Sequence, residues 1–316
     1  MYLSQFIALD LPPLLTAIFS ASACALLGTY LLLRKQSMMG DAISHSVLPG
    51  IVVAFLLTSS RGGFTIFVGA AIAGLLSAVL IELTRRFGSV ESGAAMGVVF
   101  SLFFAAGIVI LEQAAARSID LDADCLLHGQ LESIFWYPPT GASSLLSYET
   151  IEKLPIEVWT SFITLALTLG FILVLFKELQ FASFDPALAS ASGFSSTLIH
   201  HLLMAMVACA VVASFKAVGS ILVIAMIICP AACARLCTDK LVTQLYLSVL
   251  FAVLASILGY FSGAFGPILF GFENSVNAAG MIAVTAGILL GLCVFLAPRY
   301  GVIAKNLRRL QLQQRV

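Results

Sequence analysis

The sequence predicts an all-α protein that crosses a membrane about eight or nine times. Hydrophobic residues make up 60% of its 316 residues and charged residues only 10%, whereas a soluble domain is about half apolar and about a quarter charged. The apolar residues form continuous runs and do not alternate with polar ones, which is typical of membrane helices and not of a β-barrel. We therefore expect backbone groups inside the bilayer to be paired within helices.

Nine apolar runs follow one another along the chain, and the second is short for a span. They cover about residues 13–33, 46–58, 64–83, 93–111, 158–176, 198–214, 217–236, 241–262 and 277–297. The gap between the sixth and seventh runs is so tight that a re-entrant or half-length helix is an alternative there. The first ten residues contain no Lys or Arg, so we expect the first run to remain as a span and not to be a cleaved signal peptide.

The basic residues predict the orientation of these spans. With nine spans and the N-terminus outside, twelve Lys and Arg residues fall on the cytoplasmic side and four fall outside, as the positive-inside rule requires. The cytoplasmic residues are Arg34, Lys35, Arg85, Arg86, Lys177, Arg235, Lys240, Arg299, Lys305, Arg308, Arg309 and Arg315; the outer ones are Arg61, Arg117, Lys153 and Lys216. This orientation predicts a cytoplasmic tail over residues 298–316.

The whole chain, residues 1–316, is predicted to form one transmembrane domain with two long connecting segments. The outer loop, 112–157, carries eight acidic and two basic residues. The cytoplasmic segment, 177–197, is rich in Gly, Pro and Ser, which is typical of a short helix between turns. In its sequence Phe184-Asp185-Pro186-Ala187, the aspartate suits the N-cap and the proline suits the first helical position, while Gly193 suits the end of the helix.

The stretch RKQSMMGDAISHSVLPG, residues 34–50, contains the strongest candidate for a metal site. Asp41 and His45 are four residues apart, so a helix places their carboxylate and imidazole on one face, about one turn apart. Together they suit a first-row divalent ion. Pro49 cannot donate a hydrogen bond to the His45 carbonyl, so we expect a bend there. The alternative is an interfacial pair that faces lipid headgroups. Two ligands are few for a tight site, but a symmetric dimer would bring four to its axis.

Residues 217–236, AVGSILVIAMIICPAACARL, predict a helix of small residues that packs closely against its neighbours and is kinked near Gly219 and Pro230. Cys229, Cys233 and Cys237 fall on one face of this helix. Thiolates at that spacing can bind a soft metal, but buried cysteines more often pack as small hydrophobic residues, and we favour packing.

Three further histidines have less specific surroundings. His200 and His201 open the sixth run, where an interfacial anchoring role is favoured. His128 lies in the acidic outer loop. We favour an ordinary surface position for it over metal delivery or contact with a partner.

The sequence also argues against several function classes. It has no Gly-Lys-Ser/Thr phosphate loop, so we expect no ATP hydrolysis by this chain itself. It has no His-Glu-x-x-His motif of an intramembrane hydrolase. A proton-coupled secondary metal carrier remains the alternative, but such carriers use buried carboxylates, and the span interiors hold almost none. We expect no permanently bound cofactor and no nucleic-acid partner.

Three sequence blocks in this order resemble the metal-ion permease family of ABC importers, which serves zinc, manganese and iron systems. The blocks are LLRKQSMMGDAISHSVLPGI, FDPALASASG and VGSILVIAMIICPAACARL, ending at residues 51, 193 and 236. The run HHLLMAMVACAVVASFKAVG, 200–219, is more similar to the manganese and iron members than to the zinc members. The acidic outer loop and the cysteines near Pro230 depart from the family pattern.

The resemblance implies a permease in a bacterial inner membrane, surrounded by lipid and paired with a second permease, either a copy or a paralogue. It also implies cytoplasmic ATPase subunits and an extracytoplasmic metal-binding protein. Within this chain, it implies that Asp41 and His45 line the path of a transported manganese, iron or zinc ion. It further implies that residues 184–193 form the coupling helix that docks on the ATPase.

Overall fold

The computed structural model describes residues 6–58, 63–115, 129, 131–136, 153–269 and 276–305. This part of the chain contains ten α-helices and no strand. The helices are α1 (Leu11–Leu33), α2 (Met39–Thr58), α3 (Gly63–Gly88), α4 (Ser92–Ala115), α5 (Ile156–Val174), α6 (Phe176–Phe184), α7 (Pro186–Ala191), α8 (Ser196–Cys237), α9 (Leu241–Leu269) and α10 (Ala278–Leu296). A π-helical turn, Phe6–Asp10, precedes α1, and a short 3-10 helix covers Leu131–Ser133.

Within the described ranges, nine helical segments are long and apolar enough to cross a membrane, which confirms the predicted fold class and the order of the runs. Helix α8 supplies two of them, and α6 and α7 are too short to be spans. The second span begins at Met39, well before the apolar run at residue 46. Its first two turns are therefore the polar stretch that contains Asp41 and His45, and this extension gives the short run a full span of 20 residues.

Helix α8 is interrupted at Gly219, whose φ of 79° and ψ of 164° are not helical. This backbone region is essentially restricted to glycine. The break separates the spans Ser196–Phe215 and Ser220–Cys237, which we call α8a and α8b. The sixth and seventh runs are therefore two complete spans joined by a break. Gly129 packs directly against this break, where a Cβ atom would meet the backbone of Val218 and Gly219.

Helix α1 is the most buried of the nine spans found in the described ranges, and close helix contacts surround it. A Cβ atom on Gly28 would collide with the Ile227 backbone of α8b, and one on Gly40 would collide with the Ile227 side chain. Such glycine contacts replace the hydrophobic driving force that is missing between helices in lipid. They hold α8b against both the last third of α1 and the start of α2.

Part of the predicted outer loop is packed into the fold. Leu131, Ile134 and Trp136 are buried, and the backbone N–H of Ala278 donates a hydrogen bond to Glu132 Oε1. A carboxylate at this position stabilises the start of α10, because it satisfies an unpaired amide and faces the positive end of the helix dipole. His128 and most of the acidic loop lie outside the described residues, as does the tail after residue 305.

The predicted short helix after α6 is confirmed as α7. Asp185 Oδ1 accepts hydrogen bonds from the backbone N–H groups of Ala187, at 3.1 Å, and Leu188, at 3.0 Å, so it caps the helix. At the other end, Phe194 N–H donates to Ala189 O at 3.0 Å. Gly193 lies between them with φ of +85°, which is the usual glycine-terminated helix end.

Candidate metal site

Asp41 and His45 lie on adjacent turns of α2 and face the same side. His45 Nε2 is 3.3 Å from Asp41 Oδ1, and the two side chains are 23% and 30% exposed, respectively. The pair is therefore partly exposed at the surface of the chain and partly buried. Among the described residues, no Lys or Arg forms an ion pair with Asp41. Its carboxylate charge is thus available to a cation.

Two aromatic rings of α4 fix the position of the His45 imidazole. The ring centroid of Phe100 is 5.1 Å from that of His45, and the ring of Phe104 is 5.6 Å away in an edge-on arrangement. Such contacts orient the imidazole without offering a competing ligand or charge. They also exclude water from one side of the pair, which strengthens its electrostatic attraction for a cation.

The backbone of α2 is held on both sides of the pair. Before it, Gly40 lies against Ile227 of α8b; beyond it, a Cβ atom on Gly107 of α4 would lie 3.0 Å from the Pro49 ring. Pro49 is inside α2, and the helix continues through it to Thr58. Hydroxyl groups of Ser44 and Ser46 donate to carbonyls of the preceding turn, at 2.8 and 2.6 Å. These contacts fix the two ligands within a rigid segment.

Asp41 and His45 alone would supply only part of a coordination sphere. In the part of the chain that the structure describes, no group of three or more His, Cys, Asp and Glu side chains is placed to hold a metal ion. The arrangement offers one carboxylate and one imidazole to an ion, which leaves most coordination positions to water or to groups from another chain.

The structure brings a fourth cysteine to the predicted cysteine face. Cys293 of α10 is in side-chain hydrogen-bond contact with both Cys233 and Cys237 of α8b. The sequence interpretation missed this contact because Cys293 belongs to the last span. Within the described ranges these thiols do not belong to any group of three or more metal-binding side chains, and packing of α8b against α10 stays the favoured interpretation for them.

A second carboxylate–imidazole pair, which the sequence interpretation also missed, joins two helices. Glu82 near the end of α3 and His200 near the start of α8 approach each other, with His200 Nε2 3.7 Å from Glu82 Oε2. Arg85 Nη2 lies 2.9 Å from Glu82 Oε1, and Arg34 Nη1 lies 3.5 Å from His200 Nδ1. His200 is therefore part of a charged network, whereas the exposed His201 contacts Thr197 O, at 2.7 Å, and the ring of His200. In the local sequence, the only sign of this network was that Glu82 is followed closely by Arg85 and Arg86.

Comparison with known proteins shows which family the chain belongs to. The ABC 3 transport family matches residues 9–135 and 150–297 of the chain. The manganese transport system membrane protein MntD of Bacillus subtilis (strain 168) is 38% identical over 299 residues, which cover 95% of this chain and 96% of that protein. The zinc transport system membrane protein TroD of Treponema pallidum (strain Nichols) is 38% identical, over 93% of this chain and 75% of that protein.

A solved structure, PsaBC from Streptococcus pneumoniae in complex with Fab, includes a chain of the same fold. It superposes with a TM-score of 0.72 at 30% identity, over 96% of this chain and 94% of that one. The similarity therefore extends over nearly the whole chain. The chain has the fold of a transport permease and not of an enzyme. Its nine apolar helical segments within the described ranges and these full-length matches lead to one assignment: this multi-pass membrane protein belongs to the ABC 3 transport family.

Proposed function

We propose that this chain is the permease subunit of an ABC importer that moves divalent metal ions into the bacterial cytoplasm, with manganese or iron favoured over zinc. The observation that carries this proposal is the Asp41–His45 pair, in which a carboxylate and an imidazole lie 3.3 Å apart. The names of MntD and TroD, which describe manganese and zinc transport, support the same class of cargo. The lean towards manganese and iron rests on the sequence resemblance of residues 200–219.

The exposure of the pair supports a second permease beside it. Asp41 and His45 are partly exposed, and on the neighbouring helix α4 the side chains of Val98 and Leu102 are 63% and 64% exposed. Ionisable groups within a span face protein or a water-filled path, because contact with lipid is too costly. A second permease, either a copy or a paralogue, would cover this face. A symmetric copy would bring two carboxylates and two imidazoles to one axis.

Such a shared site suits an ion in transit. Four ligands from two chains can replace part of the ion's water shell, and separating the chains on one side releases the ion again. Transport requires this balance, since a site that binds too tightly does not release its cargo. We expect an extracytoplasmic metal-binding protein to deliver the ion to the axis.

Helix α7 supports coupling to a separate ATPase. The segment is fixed by the Asp185 cap, yet Phe184 and Leu188 are 54% and 49% exposed. A short rigid helix with exposed apolar side chains is suited to fit into a groove of a partner protein. In the proposed orientation, with the N-terminus outside and the C-terminus inside, this helix faces the cytoplasm, and Phe184 to Ala187 with Gly193 would transmit ATPase closure to the spans.

Reconstitution tests the proposal directly. The chain is incorporated into proteoliposomes with its ATPase, and manganese uptake is measured with and without ATP. We expect ATP-dependent uptake that is lost when Asp41→Asn or His45→Ala is introduced. The matched control is Asp239→Asn, because Asp239 is ion-paired with Arg299 at the end of the fold, away from the pair. Manganese uptake by the chain alone, without ATP, would instead identify a secondary carrier. Uptake by both site variants at the wild-type rate would remove the pair from the path.

A further inference from the structure

A cavity of about 420 Å³ lies where α1 and α3 end and α8 begins, beside the end of α6. Four cationic side chains line it: Arg34, Lys35, Arg85 and Arg86. Among its described lining residues, the only carboxylate is that of Glu82. The positive charge of the cavity therefore exceeds what its own residues neutralise.

Hydrogen bonds and ion pairs within the cavity leave part of this cationic surface without a partner. Arg34 Nε donates to Ser183 Oγ at 3.1 Å, but its buried Nη2 has no hydrogen-bond partner among the described residues. Burial lowers the pKa of Arg34 to about 10, which still leaves the guanidinium protonated at neutral pH. Gln36, only 8% exposed, also lines the cavity, and its Oε1 is unpartnered within the described ranges. As an acceptor it needs a hydroxyl group or water and not a phosphate oxygen. Buried polar groups of this kind are normally satisfied by a ligand or water.

The backbone at Lys35 is a second, independent observation. Lys35 has φ of 57°, with Lys35 N–H donating to Leu32 O at 3.1 Å and Gln36 N–H donating to Leu31 O at 2.8 Å. This is the helix end at which glycine is normally found, because a side chain is disfavoured in the left-handed region. A lysine at this position points to a role for its ammonium group at the mouth of the cavity.

The cavity lies at the ends of three candidate membrane spans. The first span ends at Leu33, the third ends at Gly88, and the sixth begins at Ser196. Lipid phosphates lie at this level, and basic pockets between span ends bind anionic headgroups. Guanidinium groups match phosphate oxygens with paired hydrogen bonds.

We propose that this cavity binds a phosphate-bearing anion, supplied by the headgroup of an anionic membrane lipid. The bound phosphate lies between Arg34, Lys35 and the arginines of α3, and so links α1, α3 and α8 at the base of the segment that leads to Asp41. The site is independent of the transported metal, because it is built of cations that repel one.

Lipid titration of the purified full-length chain tests the site. Native mass spectrometry in detergent follows the binding of phosphatidylglycerol, with phosphatidylcholine as the uncharged comparison and inorganic phosphate as a competitor. We expect phosphatidylglycerol to bind in preference, and Lys35→Gly and Arg86→Gln each to weaken it by about fivefold, the equivalent of about 1 kcal/mol per cation near a membrane surface. Neither substitution touches the Arg34–His200 contact. Lys240→Gln, which removes an exposed cation outside the cavity, should leave binding unchanged.

The competition arm separates the two sources of phosphate. If inorganic phosphate displaces the lipid, the recognised group is the phosphate itself; if it does not, the intact headgroup is required, and either result supports the site. Equal binding of both lipids, or equal weakening by Lys240→Gln, would overturn the proposal. The proposal would also be overturned if Lys35→Gly and Arg86→Gln kept lipid binding but lost binding to the ATPase. The cavity would then receive an acidic side chain of that protein.

Discussion

The chain contains two carboxylate–imidazole pairs with opposite surroundings. Asp41 and His45 lie 3.3 Å apart on one helix, and the His45 ring contacts two aromatic rings of α4. Glu82 and His200 lie 3.7 Å apart on two helices. The second pair is surrounded by Arg34, Arg85 and Arg86, whereas no Lys or Arg among the described residues is ion-paired with Asp41.

The comparison shows that ligand types alone do not define a metal site. A carboxylate that already faces guanidinium groups has lost most of its attraction for a divalent cation, because the neighbouring charges repel the ion at short range. The same network stabilises the junction of α1, α3 and α8. Our proposal that the first pair takes up an ion rests on the finding that, among the described residues, no Lys or Arg is ion-paired with Asp41. The second pair joins α3 and α8.

The largest expected effect is on metal uptake, which a substitution in the first pair should lower and a matched substitution in the second pair should not. Asp41→Asn should lower manganese uptake by at least about tenfold, as loss of a metal ligand costs no less than loss of its supporting contacts. Glu82→Gln, a matched removal of one carboxylate charge, should leave uptake per folded transporter within about twofold of wild type. Uptake in proteoliposomes, normalised to protein amount, measures both. Similar losses from the two variants would mean that Glu82 also acts on the ion path.

The next effect is on stability, where Glu82→Gln should be more damaging than Asp41→Asn. Glu82 is 15% exposed and meets Arg85 and His200. Glu82→Gln leaves Arg85 without its counter-charge and His200 without its carboxylate partner, and should lower the free energy of unfolding by about 1–3 kcal/mol. Asp41→Asn should cost less than about 1 kcal/mol, since the pair is partly exposed and, among the described residues, Asp41 is ion-paired with His45 alone. Thermal unfolding of the purified variants in one detergent gives the comparison. A larger loss for Asp41→Asn would show that the first pair is structural.

A smaller effect tests the aromatic setting of His45. Phe100→Ala should lower uptake by about fivefold, because the imidazole loses an aromatic contact of roughly 1 kcal/mol that holds its orientation. Phe162→Ala is the matched control: it removes a ring that contacts Phe19 at 5.6 Å, away from the pair. If the control lowers uptake as much as Phe100→Ala, the loss reflects general packing and not the position of His45.

The sequence predicted most of the fold because the bilayer imposes a simple length requirement on apolar helices. The nine runs all correspond to spans in the described ranges. The start of α2 was wrong by several residues, since hydropathy ends a run at polar residues. At the start of this helix, Gly40 packs against Ile227 of α8b, a contact that no local pattern shows.

The two pairs differ in how far the sequence could predict them. Asp41 and His45 are related by one helical turn, so their spacing alone placed them on a common face. Glu82 and His200 meet only because the ends of α3 and α8 are neighbours in the folded chain. The same holds for Cys293 beside Cys233. Residues on different spans require the helix arrangement, which apolar periodicity does not contain.

The smallest expected effect concerns the lysine at the edge of the second pair's network. Lys35 and Gly193 occupy the same position in two helix ends, with φ of 57° and 85°. In detergent without anionic lipid, Lys35→Gly should raise the free energy of unfolding by up to about 1 kcal/mol, because it relieves backbone strain and removes one of four neighbouring cations. Gly193→Lys should lower it by about the same amount.

Anionic lipid should change the effect of Lys35→Gly on stability and leave the effect of Gly193→Lys unchanged. With phosphatidylglycerol present, wild type gains a phosphate contact through Lys35 that Lys35→Gly lacks, so the stability advantage of the variant should shrink or reverse. Thermal unfolding midpoints measured with and without the lipid give this difference. A constant advantage for Lys35→Gly in both conditions would show that the lysine has no anionic partner. The cationic network would then serve only to hold Glu82 and His200 together, and the contrast between the two pairs would rest on Asp41 alone.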